Sequence, residues 1–281
     1  MTDTQKMLDD GTVAQGGVIL TGDASIADPV PVMQQSMIGN IKHPYPNSIR
    51  GFIFGKSVNV DNARVDLWQG PTAQYVFPLV PQQMQIVSTS ANDTSNGSGA
   101  QYVMIHYLDD KYDSQTEVIA LSGLTPALTV ATNILRINGM HVTKVGTVNG
   151  SSAGNISLQD TGGTITYSYL PAGENLARNG VYTVPNGYTG YINHWQMSSG
   201  TASGSHFCQV SLRATCHDSI PYPGVFMTQD EQGSLNNGSI IALPTPIPIP
   251  AAADVKLSAI SDAAGANATV MGSIMGWFEK N

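Results

Sequence analysis

Five side chains able to hold a metal gather in the later part of the chain: His194, His206, Cys208, Cys216 and His217. A structural zinc site needs four such ligands about 2.0–2.3 Å from one point, usually delivered by short knuckle spacings. His206-x-Cys208 and Cys216-His217 are not such spacings, and adjacent residues of a strand point to opposite faces. The cysteines lie on one alternating stretch, Cys208-Gln-Val-Ser-Leu-Arg-Ala-Thr-Cys216. As a strand it holds them about 26 Å apart, beyond disulfide reach and on the face of Val210, Leu212 and Ala214. The pattern predicts two core thiols and no metal site.

Other chemistry is as sparse. Asp109, Asp110, Asp113 and Glu117 could offer oxygen ligands to Ca²⁺. They lack the Asp-x-Asp-x-Asp-Gly loop pattern, so a solvated acidic turn is expected. The Gly-x-Ser-x-Gly spacing occurs once, at Gly150-Ser-Ser-Ala-Gly154, inside a turn-like cluster. Asn96-Gly-Ser-Gly99, Gly150-Ser-Ser-Ala-Gly154 and Thr201-Ala-Ser-Gly-Ser205 are turn material with no histidine at a meaningful spacing. No glycine-rich phosphate loop follows a strand and opens a helix. Carboxylate pairs for glycoside hydrolysis can be distant in the chain and leave no local mark. The expectation is therefore not an enzyme: no catalytic residue, no cofactor and no metal. Trp68, Trp195 and Trp277, with Tyr188 and Tyr191, could line a sugar-binding surface. In a β-sandwich such residues more often anchor the core or an interface.

The elements that must position these residues are strands. Of 281 residues only 11% are charged, while Gly (29) and Pro (16) are plentiful. That composition fits an all-β chain with many turns, and the scarcity of charge favours an assembled state over a free monomer. Net charge is -8, and residues 1–48, 49–170 and 171–281 are each net negative. This excludes the electrostatic footprint of a nucleic-acid binder and disfavours anionic membranes. The start, Met1-Thr-Asp-Thr-Gln-Lys-Met-Leu-Asp-Asp10, lacks the basic and apolar regions of a secretory signal. No apolar run approaches the ~20 residues of a membrane helix. The expectation is a protein made in a cytosol that stays soluble or leaves by a route other than a signal peptide, with no nucleic acid and no membrane as partner.

Residues 1–48 read as an extended N-terminal arm, punctuated by Pro29, Pro31, Pro44 and Pro46, with Val18-Ile-Leu20 as one short strand. So few hydrophobic residues cannot offset the entropy of ordering alone. Residues 49–170 read as a first β-sandwich domain. Its strands are expected at 49–54, 65–68, 84–88, 102–108, 116–121, 134–145, 156–158 and 164–169. Asn92–Gly99 forms a loop, Asp109–Asp113 a tight turn and Asn149-Gly150 a hairpin. Residues 170–179 read as a linker. Residues 171–281 then form a second, jelly-roll-like β-sandwich, with strands at 180–184, 188–195, 208–216, 247–250, 254–259 and 268–278. Pro244, Pro246, Pro248 and Pro250 confine their strip to a sheet edge. The last strand is apolar on both parities, Val270, Ile274 and Phe278 against Met271, Met275 and Trp277. Such a strand has a second buried face. Met271, Met275, Trp277 and Phe278 are therefore the candidate residues for an oligomer or partner interface.

Particular runs carry a resemblance. Asp66-Leu-Trp-Gln-Gly-Pro71, Met84-Gln-Ile-Val-Ser-Thr-Ser-Ala-Asn-Asp93, Val103 to Asp113, Glu117 to Gly123 and Leu135-Arg-Ile-Asn-Gly139 resemble uncharacterised virion structural proteins of tailed bacteriophages. Tyr182 to Thr189, Ser211-Leu-Arg213 and Ile249 to Ala259 are similar to the same family. The resemblance spans about residues 50–280 and rests on turn and core patterns. It implies a virion component, assembled in the host cytoplasm, and transfers no catalytic residue. The expected function is a capsid decoration or cement protein, a homo-oligomer and most simply a trimer. It would bridge the major capsid protein or other virion proteins, with the last strand buried between protomers. A tail, collar or baseplate component and a glycan-binding host-recognition module are the alternatives.

Overall fold

The computed structural model describes residues 48–147, 150–200, 206–235 and 237–281, with side chains from Ile53 onward. The expected arm lies outside the described residues, apart from Ser48, which opens the first strand. So do Asn149 of the expected hairpin and the Thr201–Ser205 cluster.

The described residues are all-β. In chain order the strands are β1 (Ser48–Val60), β2 (Val65–Asp66), β3 (Met84–Ser88), β4 (Ala100–Leu108), β5 (Ser114–Ala120) and β6 (Ala127–Leu128). Next come β7 (Arg136–Val145), β8 (Ile156–Asp160), β9 (Thr166–Leu170), β10 (Val181–Thr183), β11 (Tyr188–Gly200) and β12 (Phe207–Ala214). The last are β13 (Cys216–His217), β14 (Ile220–Pro221), β15 (Met227–Leu235), β16 (Gly238–Ile249), β17 (Asp254–Ser261) and β18 (Ala268–Lys280).

Two sheets, ordered β1-β18-β11-β16 and β10-β17-β12-β15, enclose one core. The pairings have a simple logic. β1 pairs with β18, β10 with β17, β11 with β16 and β12 with β15, all antiparallel. First pairs with last, second with second-last, and so inward. The eight strands form one long hairpin, rolled up so that β18 meets β11 and β17 meets β12. This is the jelly roll, two Greek keys wound into a double sheet.

The other sandwich is nested inside this one. Sheets β6-β3-β8-β9 and β5-β4-β7 pack around Met84, Ile86, Val103, Ile105, Ile134, Met140, Ile156 and Leu158. Both lie in the connection between β1–β2 and β10. The expected boundary at residue 49 therefore differs from the observed one. Residues 48–60 pair with β18, and Val60, Val65 and Leu67 belong to the jelly-roll core. The physical reason is that β1 supplies the edge partner that the apolar β18 needs, and nothing in its own sequence states which distant strand it will join. The 171–180 stretch is fastened on both sides. The Val142 and Ala177 amides donate to Asn175 and Met140 carbonyls, and the Gly180 amide donates to Phe54 O.

Local sequence explains the positions that matter. In β11 the core residues change parity, from Ile192 to Trp195 and Met197, because a bulge lies between Ile192 and His194. Pro185-Asn-Gly187 turns as expected, with Gly187 at φ 74° and the Tyr188 amide on Pro185 O. Pro244, Pro246 and Pro248 sit in β16, an edge strand, and Pro250 follows its last residue. Prolines cannot donate there, so this edge resists addition of another strand. Asp93, in the expected Asn92–Gly99 loop, is fully buried. Its carboxylate accepts the amides of Ala100, Ala153 and Gly154 and the Ser88 hydroxyl, tying two loops together. Cys208 and Cys216 are both free, buried and in the jelly-roll core, but β12 ends at Ala214 and Cys216 opens β13.

β17 is buried on both faces. Val255, Leu257 and Ala259 point into the core. Asp254, Lys256 and Ser258 point the other way, into an interface closed by β2 and the nested sandwich. Arg136 of β7 grips Asp254 with two bonds, Nε–Oδ1 2.9 Å and Nη2–Oδ2 3.2 Å, and Thr183 Oγ1 adds a third at 2.6 Å. Lys256 Nζ lies 2.9 Å from Asp66 Oδ2, and Ser258 Oγ donates to Asp66 Oδ1 at 2.7 Å. Asn138 and Thr183 exchange bonds of 2.8 Å in both directions. A buried ion pair adds little against an apolar substitute, but deleting one partner leaves an unpaired buried charge, at a cost of about 3–5 kcal/mol. Asp254→Ala should therefore lower stability by roughly 3 kcal/mol. Wild type should melt in one calorimetric transition and this variant in two, as the nested sandwich loses its hold on the jelly roll. One unsplit transition with a loss under about 1 kcal/mol would mean that the pair holds nothing together.

Candidate interaction surface

β18 is a central strand with β1 on one side and β11 on the other. Its register against β1 is unbroken from Glu279 to Val270, so alternation sorts its side chains cleanly. Val270 and Ile274 enter the core, and Phe278 packs against it. Met271, Ser273, Met275 and Trp277 point outward. Phe278 thus parts company with the other three candidate interface residues. It stacks on Tyr182 at 5.0 Å, and a Cβ added at Gly190 would lie 3.1 Å from its ring. Burial pushes the Tyr182 phenol up to about 12, opposed by its bond with Asn138.

The outer face gathers apolar side chains from all four strands. Trp277 stacks on Tyr191 of β11 at 5.4 Å, with its Nε1 donating to Glu279 at 2.6 Å. Phe54, Ile240 and Met271 border an open hollow of about 490 Å³, floored by Gln196, Ser198 and Gly238. Ile240 is 74% exposed. Three polar atoms on these strands are buried without a partner: Asn193 Oδ1 and His194 Nδ1 at the β11 bulge, and Ser273 Oγ at the middle of β18. Unpaired buried polar groups are uncommon and destabilising.

The other residues singled out by sequence are dispersed. Trp68 and Trp195 are buried, the latter donating to Asp230 at 2.8 Å, so neither can meet a sugar. No group of three or more His, Cys, Asp or Glu side chains is placed to hold a metal among the described residues. His206 pairs with Asp262 and His217 with Asp218. Burial raises both thiols, Cys216 to about 11, which leaves them unreactive at neutral pH. The acidic turn is occupied with its own backbone: Asp109 accepts the Lys111 and Asp113 amides, and Glu117 those of Val130 and Ala131. On the nested sandwich His106 and His141 stack at 5.2 Å, and burial with the neighbouring His141 pushes His106 below its ordinary range.

Two exposed surface loops, around residues 76–81 and 219–226, escape a search for chemistry. The signal was present in sequence: apolar residues interleaved with prolines cannot form a core strand and so must be displayed.

The fold and the outer sheet face define the class, a jelly-roll β protein that displays an apolar sheet surface. No family model matches the chain, and no curated protein matches it. Among solved structures, that of the infectious bursal disease virus Gt strain is 9% identical, with 83% of this chain and 72% of that chain covered and a TM-score of 0.17. The T=1 particles derived from infectious bursal virus give 12% identity, coverage of 83% and 69%, and a TM-score of 0.18. Scores this low define no shared fold.

Ser273 offers a direct check on the outer face. With Oγ buried and unpaired, Ser273→Ala should stabilise the free protein by about 1 kcal/mol, measured by denaturant unfolding. A loss of that size would show that Oγ has a partner in solution.

Proposed function

We propose that the chain is a virion structural protein, a decoration or cement subunit that binds the outside of an assembled capsid as a homotrimer. The observation that supports this most directly is the complete eight-strand jelly roll, an architecture used by viral capsid and lectin domains. Low charge density and an apolar outer sheet face point the same way. Met271, Met275 and Trp277, expected between protomers, are assigned in this proposal to the shell, and self-association to another surface. The action is non-covalent and non-catalytic. A subunit that binds only the assembled shell stabilises it in proportion to occupancy and affinity.

One observation favours a second reading. The Tyr191–Trp277 stack is a partly exposed aromatic platform of the kind that could hold a sugar ring, which would make the chain a glycan-binding host-recognition module.

The test is add-back. Purified protein is mixed with capsids that lack it, and bound protein and the temperature of genome release are measured. Saturable binding and a higher release temperature are expected, both reduced by Trp277→Ala. Binding to isolated tails, or to host glycans with quenching of Trp277 fluorescence, would replace the cement reading with the tail or host-recognition alternative.

A further inference from the structure

Besides the sheet face, the described residues carry a second apolar display, formed by two loops, one leading from β2 into the nested sandwich and one joining β12 to β15 within the jelly roll. In the first, Val76, Leu79 and Val80 are exposed, Leu79 to 93%. In the second, Ile220, Tyr222 and Val225 are exposed, Ile220 to 56%. Pro81, Pro221 and Pro223 are exposed among them.

The loops are held beside each other. Phe77 stacks on Phe226 with ring centres 5.5 Å apart. Arg136 lies 5.4 Å over Phe77 and donates to Pro78 O at 2.6 Å. Arg213 donates to Phe226 O at 3.1 Å, and Lys256 sits 4.3 Å over the Phe226 ring. The Tyr222 amide donates to Thr215 O and the Val225 amide to Tyr222 O. Each anchoring phenylalanine is thus pinned by a cation while its neighbours face water. Prolines and pinned anchors lower the entropy lost on binding, so the surface is preorganised.

Its charge is the second observation. No Asp, Glu, Lys or Arg occurs between Asp66 and Asp93, or between Asp218 and Asp230, in a chain of net charge -8. Two copies repel each other over most approaches, but not where both present an uncharged surface. Area is the third. The six exposed side chains leave on the order of 600 Å² open, most of the roughly 800 Å² per partner that a stable complex covers.

We infer that this two-loop surface is the contact through which the chain binds a second copy of itself. The inference rests on the homo-oligomer of the proposed function and names its interface. Both loops belong to one protomer, so the surface exists only while the Arg136–Asp254 grip holds the nested sandwich in place.

The test compares full-length wild type with Leu79→Asp, Val225→Asp and the oppositely charged Leu79→Lys, by sedimentation equilibrium over a hundredfold range of concentration. The side chains are exposed, so circular dichroism and melting temperature should not change. An oligomeric wild type and at least tenfold weaker association in all three variants are expected. Two outcomes would overturn the inference: a monomeric wild type, or variants that remain oligomeric; if those variants also lose capsid attachment, the surface belongs to a shell protein. Capsid binding is scored separately, so a protein that assembles but ignores capsids contradicts the proposed function and leaves this interface standing.

Discussion

The polar stripe of β17 governs how the molecule is put together. Asp254, Lys256 and Ser258 alternate with core residues, and on an ordinary sandwich that face would meet water. Here it is buried, and both charges on it are answered, Asp254 by Arg136 of the nested sandwich and Lys256 by Asp66 of β2. Burying charge is unfavourable unless geometry and hydrogen bonding are nearly complete. The stripe therefore admits few placements of the nested sandwich. Arg136 also holds Phe77 and Pro78, and Lys256 holds Phe226. The groups that fasten the two sandwiches are the groups that position the exposed loops.

The rolled hairpin explains the rest of the surface. Rolling makes β18 central, so both of its edges are paired and only its faces remain. One face fills the core. The other presents Met271, Met275 and Trp277, with Ser273 Oγ buried and unpaired among them. The β16 edge is blunted by proline, and the β1 edge is partly covered by the chain entering β10. Strand addition at this sheet is thereby suppressed, while its outer face stays open.

Strands with strong alternation or apolar character were legible from sequence: β3 to its ends, and β4, β5, β7, β8, β11, β12, β17 and β18 to within a few residues, apart from the longer continuation of β11. The proline strip was correctly confined to an edge. β15, Met-Thr-Gln-Asp-Glu-Gln-Gly-Ser-Leu, was missed because an exposed edge strand needs no apolar face, and β6 is only two residues long. Nesting was hidden for a deeper reason. Which strand partners β1 is decided by pairing across more than 200 residues, and no local pattern records it. Likewise Asp254-x-Lys256-x-Ser258 reads as a solvated face until Arg136 and Asp66 are brought to it. Of the four candidate interface residues, period 2 could already separate Phe278 from Met271, Met275 and Trp277. It could not say which parity faces the core.

The claim that this jelly roll serves a virion is tested most directly by cryo-electron microscopy of intact particles. The account predicts density for the nested pair of sandwiches repeated over the icosahedral shell, with the Met271–Trp277 face against capsid subunits and the two-loop surfaces meeting at a symmetry axis. Density confined to the tail axis or its tip would contradict the shell assignment. Particles with no such density would contradict the virion assignment itself.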